Sequence, residues 1–354
     1  MLLLNGRFLT QAMTGVQRFA TEIALAADAL AAQDGWPETR VLVPPGTAAP
    51  GYARLAVTPV GTRQGQAWEQ RDLPGAAVGG VLLNLGNTAP LLVPGARQAV
   101  VIHDAGVFDT PESYSLAFRT WYRLLHRALA RRGARLVTVS EFSRGRIARH
   151  LRVPPGQIGV VQEGAEHILR APADAAVLAR HGLQPGRFAL VVGTAAAHKN
   201  LAALREAAAL LAARGLLLAV AGGGAAGPFR AADGTDGPGV RLLGRVSDAE
   251  LRALYEAALC LVFPSRYEGF GLPPVEAMAC GCPVVAAWAG AVPEICGEAA
   301  LWFDAAGPGT PAAALARLLD EPGLREGLCA AGLARAARFT WRAAALRLLD
   351  LLPR

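Results

Sequence analysis

The chain is constrained most by a stretch where a short apolar run breaks into a glycine loop and the loop opens a helix. Residues 259–263, L-C-L-V-F, are uniformly apolar, as a strand buried on both faces must be. Pro264 and Ser265 end the run. Gly269 and Gly271 then let the backbone turn tightly with its N–H groups facing outward. Pro273 and Pro274 suit a first helical turn, where the amide hydrogen that proline lacks would have had no partner. The helix is expected to continue through Val275, Glu276, Ala277, Met278 and Ala279 and to stop at Gly281 as a C′ glycine. Strand, glycine loop and helix N-terminus in that order form an anion-binding geometry.

Two carboxylates flank that geometry, Glu268 in the loop and Glu276 in the first helical turn, with seven residues between them. A carboxylate repels phosphate but accepts hydrogen bonds from sugar hydroxyls. One reading is a ligand that is anionic at its centre and hydroxylated on both sides, as a nucleotide-sugar is. In the other, Glu276 only complements the helix dipole and Glu268 is a solvated loop residue. Spacing alone leaves the two level.

The same unit recurs along the chain. Leu2, Val41–Val43, residues 82–84, 99–102, 136–139, 188–192, 216–220 and 240–243 open or form apolar runs, and helical stretches separate them. Such alternation indicates α/β architecture with parallel sheets covered on both faces. At 354 residues, 53% hydrophobic and 18% charged, the chain has the length for two domains. No run reaches the roughly 18 uninterrupted apolar residues of a spanning helix, and the first residues have the pattern of a strand rather than a leader. A cytoplasmic protein, peripheral at most at the inner face of a membrane, is expected. Five cysteines, an odd number, suggest small buried thiols of a reduced compartment and not a disulfide framework. The net charge of +7 suits anionic ligands or an acidic membrane surface. Scattered basic residues and the absence of any nucleic-acid-binding motif argue against nucleic acid.

Several positions carry candidate chemistry. His103 and Asp104 follow the run A-V-V-I, where open α/β sheets place ligands; the alternative is a hydrogen-bonded structural pair. Lys199 follows a glycine turn after residues 188–192 and offers a point charge to a diphosphate, with His198 beside it. Residues 118–135 form a basic amphipathic helix in which Phe118, Trp121, Leu125 and Leu129 share a spacing; it is either core-facing with a solvated basic side or a membrane-surface helix. Ser247 to Glu250 make a capping box. Residues 170–187 read as an interdomain link, and the D-G-T-D run 233–236 does not match a D-x-D metal motif. No metal site and no cofactor are expected.

The run E-G-F-G-L-P-P-V-E-A-M-A-C-G-C-P-V-V resembles the E-x7-E signature of retaining GT-B glycosyltransferases of family 4 (glycosyltransferase group 1), with mannosyl-adding members among the most alike. Further matches run from T-G-V-Q-R-F at residues 14–19 to F-T-W at residues 339–341. The resemblance implies two Rossmann-like domains with parallel sheets facing a central cleft: residues 1–170 on the acceptor side, residues 171–340 for the nucleotide-sugar, and a last helix, 341–354, crossing back. It implies metal-independent transfer of a hexose, with retention, from a nucleotide diphosphate sugar to a saccharide or lipid-linked saccharide hydroxyl. GDP-mannose is the first expectation for the donor and UDP-glucose the second.

By the same resemblance, His103, Lys199 and Glu268 are the catalytic residues, with Asp104 orienting His103. Donor binding falls to Gly15, Asp104, Thr194, His198, Arg245, Val246, Gly269, Phe270, Gly271, Leu272 and Glu276. Arg245 and Val246 would read the nucleobase, and Glu276 the ribose. The chain departs from the family at two places. Glu163-Gly164 stands where many relatives have Asn-Gly, and Thr194 and His198 occupy positions that are often basic. A nucleotide-sugar epimerase and a non-catalytic nucleotide-sugar-binding protein are the alternatives.

Overall fold

The computed structural model describes residues 1–33, 35–48, 50–194, 196–222, 237, 239–304 and 310–353. The D-G-T-D run lies outside them. Two compact units result: Met1–Gly164 with Thr340–Arg354, and Ala165–Phe339.

The first unit is built on strands β1 (Leu2–Asn5), β2 (Thr39–Val43), β3 (Ala56–Pro59), β4 (Val81–Asn84), β5 (Gln98–Val101), β6 (Arg135–Thr138) and β7 (Ile158–Val160), in the order β3-β2-β1-β4-β5-β6-β7. The second is built on β8 (Phe188–Val192), β9 (Leu217–Ala221), β10 (Val240–Gly244), β11 (Cys260–Phe263), β12 (Val284–Ala287) and β13 (Ala300–Phe303), in the order β10-β9-β8-β11-β12-β13. All these pairings are parallel. Parallel strands need helical crossovers, and the helices bury both sheet faces, which is why the inner strands are continuous apolar runs. In the second unit Val191, Val220, Val262, Val285, Leu301 and Phe303 pack against Leu204, Leu211, Leu315 and Leu318.

Both sheets are doubly wound. The strand order reverses between β1 and β4 in one and between β8 and β11 in the other. A crevice opens at such a reversal, outside the strands' carboxyl ends, because successive connections leave it in opposite directions. The residues that follow β8 and β11 are therefore placed for ligand contact by topology alone.

The last helix, Trp341–Asp350, belongs to the first unit. It buries Trp341, Ala344, Ala345 and Leu348, and Trp341 meets the ring of Phe19 edge-on with centroids 5.9 Å apart. Gly159 in β7 is tied to the same packing, since a Cβ there would stand 2.6 Å from Leu351 Cδ1.

One strand escapes the sequence reading, and two local expectations need correction. The edge strand β3, A-V-T-P, is nearly all exposed and carries Pro59, so it lacks the apolar signal of the inner strands; an edge position tolerates the proline. The basic helix spans Leu116–Arg131, and Arg135 already begins β6. Its expected single apolar side is divided: Leu125 and Leu129 are buried, whereas Phe118 and Trp121 are 40% and 37% exposed. Residues 170–187 are not a link, because the division falls at Gly164 and Ala165. Val177 is fully buried, and the Asp174 and Gly186 amides donate to the Ala249 and Ala257 carbonyls.

Candidate active site

In the second unit the reversal between β8 and β11 brings Lys199 to Glu268. After β8 the chain makes a short turn, Ala197–Lys199, which Asn200 closes in a left-handed conformation at φ 53°. An asparagine tolerates that region, and here its side chain also donates to the Pro264 carbonyl at 3.3 Å. The Arg266 amide donates to the His198 carbonyl at 2.8 Å. The two loops are thus joined twice, and Lys199 Nζ reaches Glu268 Oε1 at 2.6 Å. The ammonium also lies 5.6 Å from the centroid of the Phe263 ring. From the far side the segment after β12 supports Glu268. Gly290 has φ 62° and passes so near that a Cβ would stand 2.7 Å from the Glu268 nitrogen, and the Ala291 amide donates to the Glu268 carbonyl.

The loop then turns at Gly271, φ 99°, into the helix Leu272–Ala279. Phe270 is buried edge-on against Phe339, with centroids 5.8 Å apart. Among the described residues, the amides of Phe270, Gly271 and Leu272 make no main-chain hydrogen bond. Pro273 and Pro274 have no amide hydrogen at all, so these three donors and the helix dipole constitute the positive end of the element.

Glu276 is the fifth residue of that helix, one turn deeper than the sequence suggests, and 6% exposed. Each carboxylate oxygen has a donor: His167 Nε2 lies 2.8 Å from Oε1, and the Tyr255 hydroxyl 3.0 Å from Oε2. Burial, followed by the adjacent Glu276 charge, raises the Tyr255 hydroxyl well above the ordinary tyrosine range, so it stays a donor. A carboxylate oxygen can accept more than one hydrogen bond, and Glu276 keeps capacity for a hydroxylated ligand. The helix dipole therefore does not account for Glu276: two buried side chains aim it.

The other positions proposed in this unit lie at the ends of its strands. Thr194 is exposed after β8 and His198 half-buried in the turn beside Lys199. Arg245, exposed, and Val246, half-buried, follow β10, and Ser247 and Glu250 form the expected capping box. Gly269 precedes Phe270 in the loop and is buried. The cysteines are free thiols, and burial pushes those of the core residues Cys260 and Cys296 and the half-buried Cys280 up to about 12, which leaves them unreactive. Among the described residues, no group of three or more His, Cys, Asp or Glu could hold a metal ion.

In the first unit His103 follows β5 and is 5% exposed. Its amide donates to Asn87 Oδ1 at 2.7 Å, Nε2 lies 3.0 Å from the Leu85 carbonyl, and its ring meets Phe19 edge-on. A carbonyl only accepts, so Nε2 carries a hydrogen. Nδ1 faces Glu163 Oε1 at 3.6 Å, an ion-pair distance too long for a hydrogen bond. Asp104 Oδ1 accepts from the Gly106 amide at 2.6 Å, at the start of the turn Gly106–Asp109. Gly15 is the first residue of the helix Gly15–Leu30, and a Cβ there would meet nothing within 4 Å.

Sequence reasoning missed His167 and Tyr255, and it gave Glu163 no role. Their signal was weak: a histidine just after a strand–glycine step, and a tyrosine on a helix, are common as core residues. Asn87, at φ 65°, also escaped notice. It joins His103 to the buried His126, whose Nε2 lies 2.8 Å from the Asn87 carbonyl.

Residues 186–321 match the family described as glycosyl transferases group 1. The chain is 34% identical over 264 residues to the O-antigen chain mannosyltransferase B of Escherichia coli, covering 69% of this chain and 67% of that protein. It is 33% identical over 238 residues to the MMP alpha-(1->4)-mannosyltransferase of Mycolicibacterium hassiacum, covering 64% of this chain and 56% of the relative. Its fold is similar to that of the sucrose-phosphate synthase of Thermosynechococcus elongatus, with a TM-score of 0.71, 20% identity and coverage of 99% and 97% of the two chains. It is similar also to Anabaena Alr3699/HepE in complex with UDP-glucose, with a TM-score of 0.70, 17% identity and coverage of 99% and 98%. Two doubly wound parallel sheets of the GT-B type and a mannosyltransferase relative matched along two thirds of its length place the chain among the group 1 glycosyltransferases.

Proposed function

We propose that the protein transfers a hexose from a nucleotide diphosphate sugar to a hydroxyl of a saccharide or lipid-linked saccharide, with retention of configuration and without a metal. The observation that supports this most is the Lys199–Glu268 pair at the reversal of the second sheet, beside the amides of Phe270, Gly271 and Leu272. GDP-mannose is the favoured donor because two relatives are named as mannosyltransferases. UDP-glucose is the second, as a fold neighbour holds it.

The chemical difficulty is an oxocarbenium-like sugar parting from a diphosphate. Lys199, the loop amides and the helix dipole would stabilise the leaving group electrostatically, with no reorganisation at the moment of reaction. Glu268 would accept from the sugar hydroxyls and Glu276 from the ribose, while Arg245 and Val246 would border the base. His103 would contact the sugar, with its ring held at Nε2 by the Leu85 carbonyl. No side chain is assigned as nucleophile or general base: same-face attack assisted by a diphosphate oxygen accounts for retention.

A thermal-shift panel of GDP, UDP, ADP and their sugars tests the reading, since a ligand that binds only the folded chain raises its melting temperature. One nucleotide and its sugar are expected to stand out. A chain stabilised by none of them is not this enzyme.

A further inference from the structure

Beyond Glu268, on the side away from β8, the carboxyl edge of the second sheet carries two tryptophans. Trp302 lies in β13 opposite Ala286 of β12, between Leu301 and Phe303, which enter the core on the other face. Trp288 follows β12 directly, and its amide donates to the Phe303 carbonyl at 2.9 Å, which extends the β12–β13 ladder. The two indoles meet edge to face, with centroids 4.9 Å apart and planes at 76°. Trp288 is nevertheless 63% exposed. A large aromatic left open normally loses burial energy that a core position would supply. Here its tilt is fixed by the partner ring, and a flat face is presented to solvent.

The position of that face gives it meaning. Along the sheet edge the strands run β10, β9, β8, β11, β12, β13. In the transferase reading, on which this inference rests, the base lies by β10, the diphosphate by β8 and β11, and the transferred sugar at Glu268. The next positions outward are β12 and β13. Trp288 follows β12, the strand next to β11, and stands two residues before Gly290, which passes against the Glu268 main chain. The loop is also clamped to that residue, through the close passage of Gly290 and the Ala291 amide on the Glu268 main chain.

We infer that Trp288, held by Trp302, is a platform for a pyranose ring of the acceptor saccharide. The axial C–H groups of a pyranose are electropositive and match the negative face of an indole, while its hydroxyls stay at the rim in water. A single ring face is far too small for a stable protein interface, which needs on the order of 1,000 Å² or more.

The test uses the full chain, the variants Trp288→Ala and Trp288→Phe, and two probes, methyl α-D-mannopyranoside and an α-linked mannotetraose. Saturation-transfer NMR on the probes reads binding at the ring C–H groups. The expected result is tetraose binding by the wild type, weakening at least fivefold in Trp288→Ala and retention in Trp288→Phe. Equal binding by wild type and Trp288→Ala, or no binding of either probe by the wild type, overturns the platform. Nucleotide-induced thermal shifts of the same three proteins report separately on the donor site and on folding. Their absence from the wild type overturns the transferase reading whatever Trp288 does.

Discussion

Lys199 Nζ lies 2.6 Å from Glu268 Oε1, so the cation proposed for the diphosphate and the carboxylate proposed for the sugar form one ion pair. Their side chains are 19% and 13% exposed, sheltered but not dry. A diphosphate arriving here must compete with Glu268 for the ammonium, and Glu268 is then released toward sugar hydroxyls. Lys199→Ala is therefore expected to slow transfer by roughly 10²-fold or more, and Lys199→Arg to restore only part of it because a guanidinium cannot act as the same point charge. Steady-state rates with the stabilising donor check this, with EDTA present in a parallel series and expected to change nothing. Undiminished activity in Lys199→Ala would remove the lysine from the phosphate site.

Tyr255→Phe deletes the donor to Glu276 Oε2 inside the core. Losing a buried hydrogen bond to a charged group destabilises by about 2 kcal/mol. The larger consequence is expected in the donor KM, which should rise several-fold while kcat changes less than twofold, because Glu276 is aimed less well but the leaving-group donors are intact. Urea unfolding and initial rates separate the two effects. A variant that lost stability with the donor KM unchanged would confine Tyr255 to a structural role.

His126 gives a pH dependence with a definite sign. Burial lowers its pKa from 6.5 to about 4, opposed by the Asn87 carbonyl that accepts from Nε2. Between those values the unfolded chain holds a proton that the folded chain refuses, so stability falls as the pH drops from 6.5 toward 4 and is full above 6.5. The loss approaches about 3 kcal/mol at the lower end. Denaturant midpoints across that range should show the slope, and His126→Gln should flatten it. An equal slope in the variant would place the titrating group elsewhere.

Much of this protein is legible from its residues, for a physical reason. Strands buried on both faces must be continuous apolar runs, so β8, β9 and β11 announce themselves, and Gly222 and Gly271 at positive φ mark the turns after β9 and β11. What the sequence conceals are contacts made across long separations. His167 and Glu276 are 109 positions apart and meet only because a short turn after the unit boundary packs on the helix Leu272–Ala279. Glu163, a departure from the family pattern, likewise comes within 3.6 Å of His103 Nδ1 across a long separation, which no local pattern announces. The exposed β3, with its proline, has no burial to leave a trace in its composition.

The helix Leu116–Arg131 leaves Leu116, Phe118, Trp121 and Leu124 exposed, among arginines of which Arg123 and Arg127 lie over the Phe108 ring. No described helix is long and apolar enough to cross a membrane. Apolar residues beside basic ones suit the surface of an acidic bilayer. Co-sedimentation with vesicles containing anionic lipid, weakened by salt and reduced at least tenfold by Phe118→Asp with Trp121→Asp, is the expected outcome. Equal recovery with neutral vesicles would argue against it.

The second unit is one uninterrupted segment, whereas the first is assembled from both ends of the chain. During synthesis Phe19 and its neighbours wait for Trp341, which leaves the ribosome after every strand of both sheets has emerged. The segment that comes later in the sequence can thus mature before the earlier one is finished, and the stretch most exposed to chaperones and proteases in that interval is the groove awaiting its final helix.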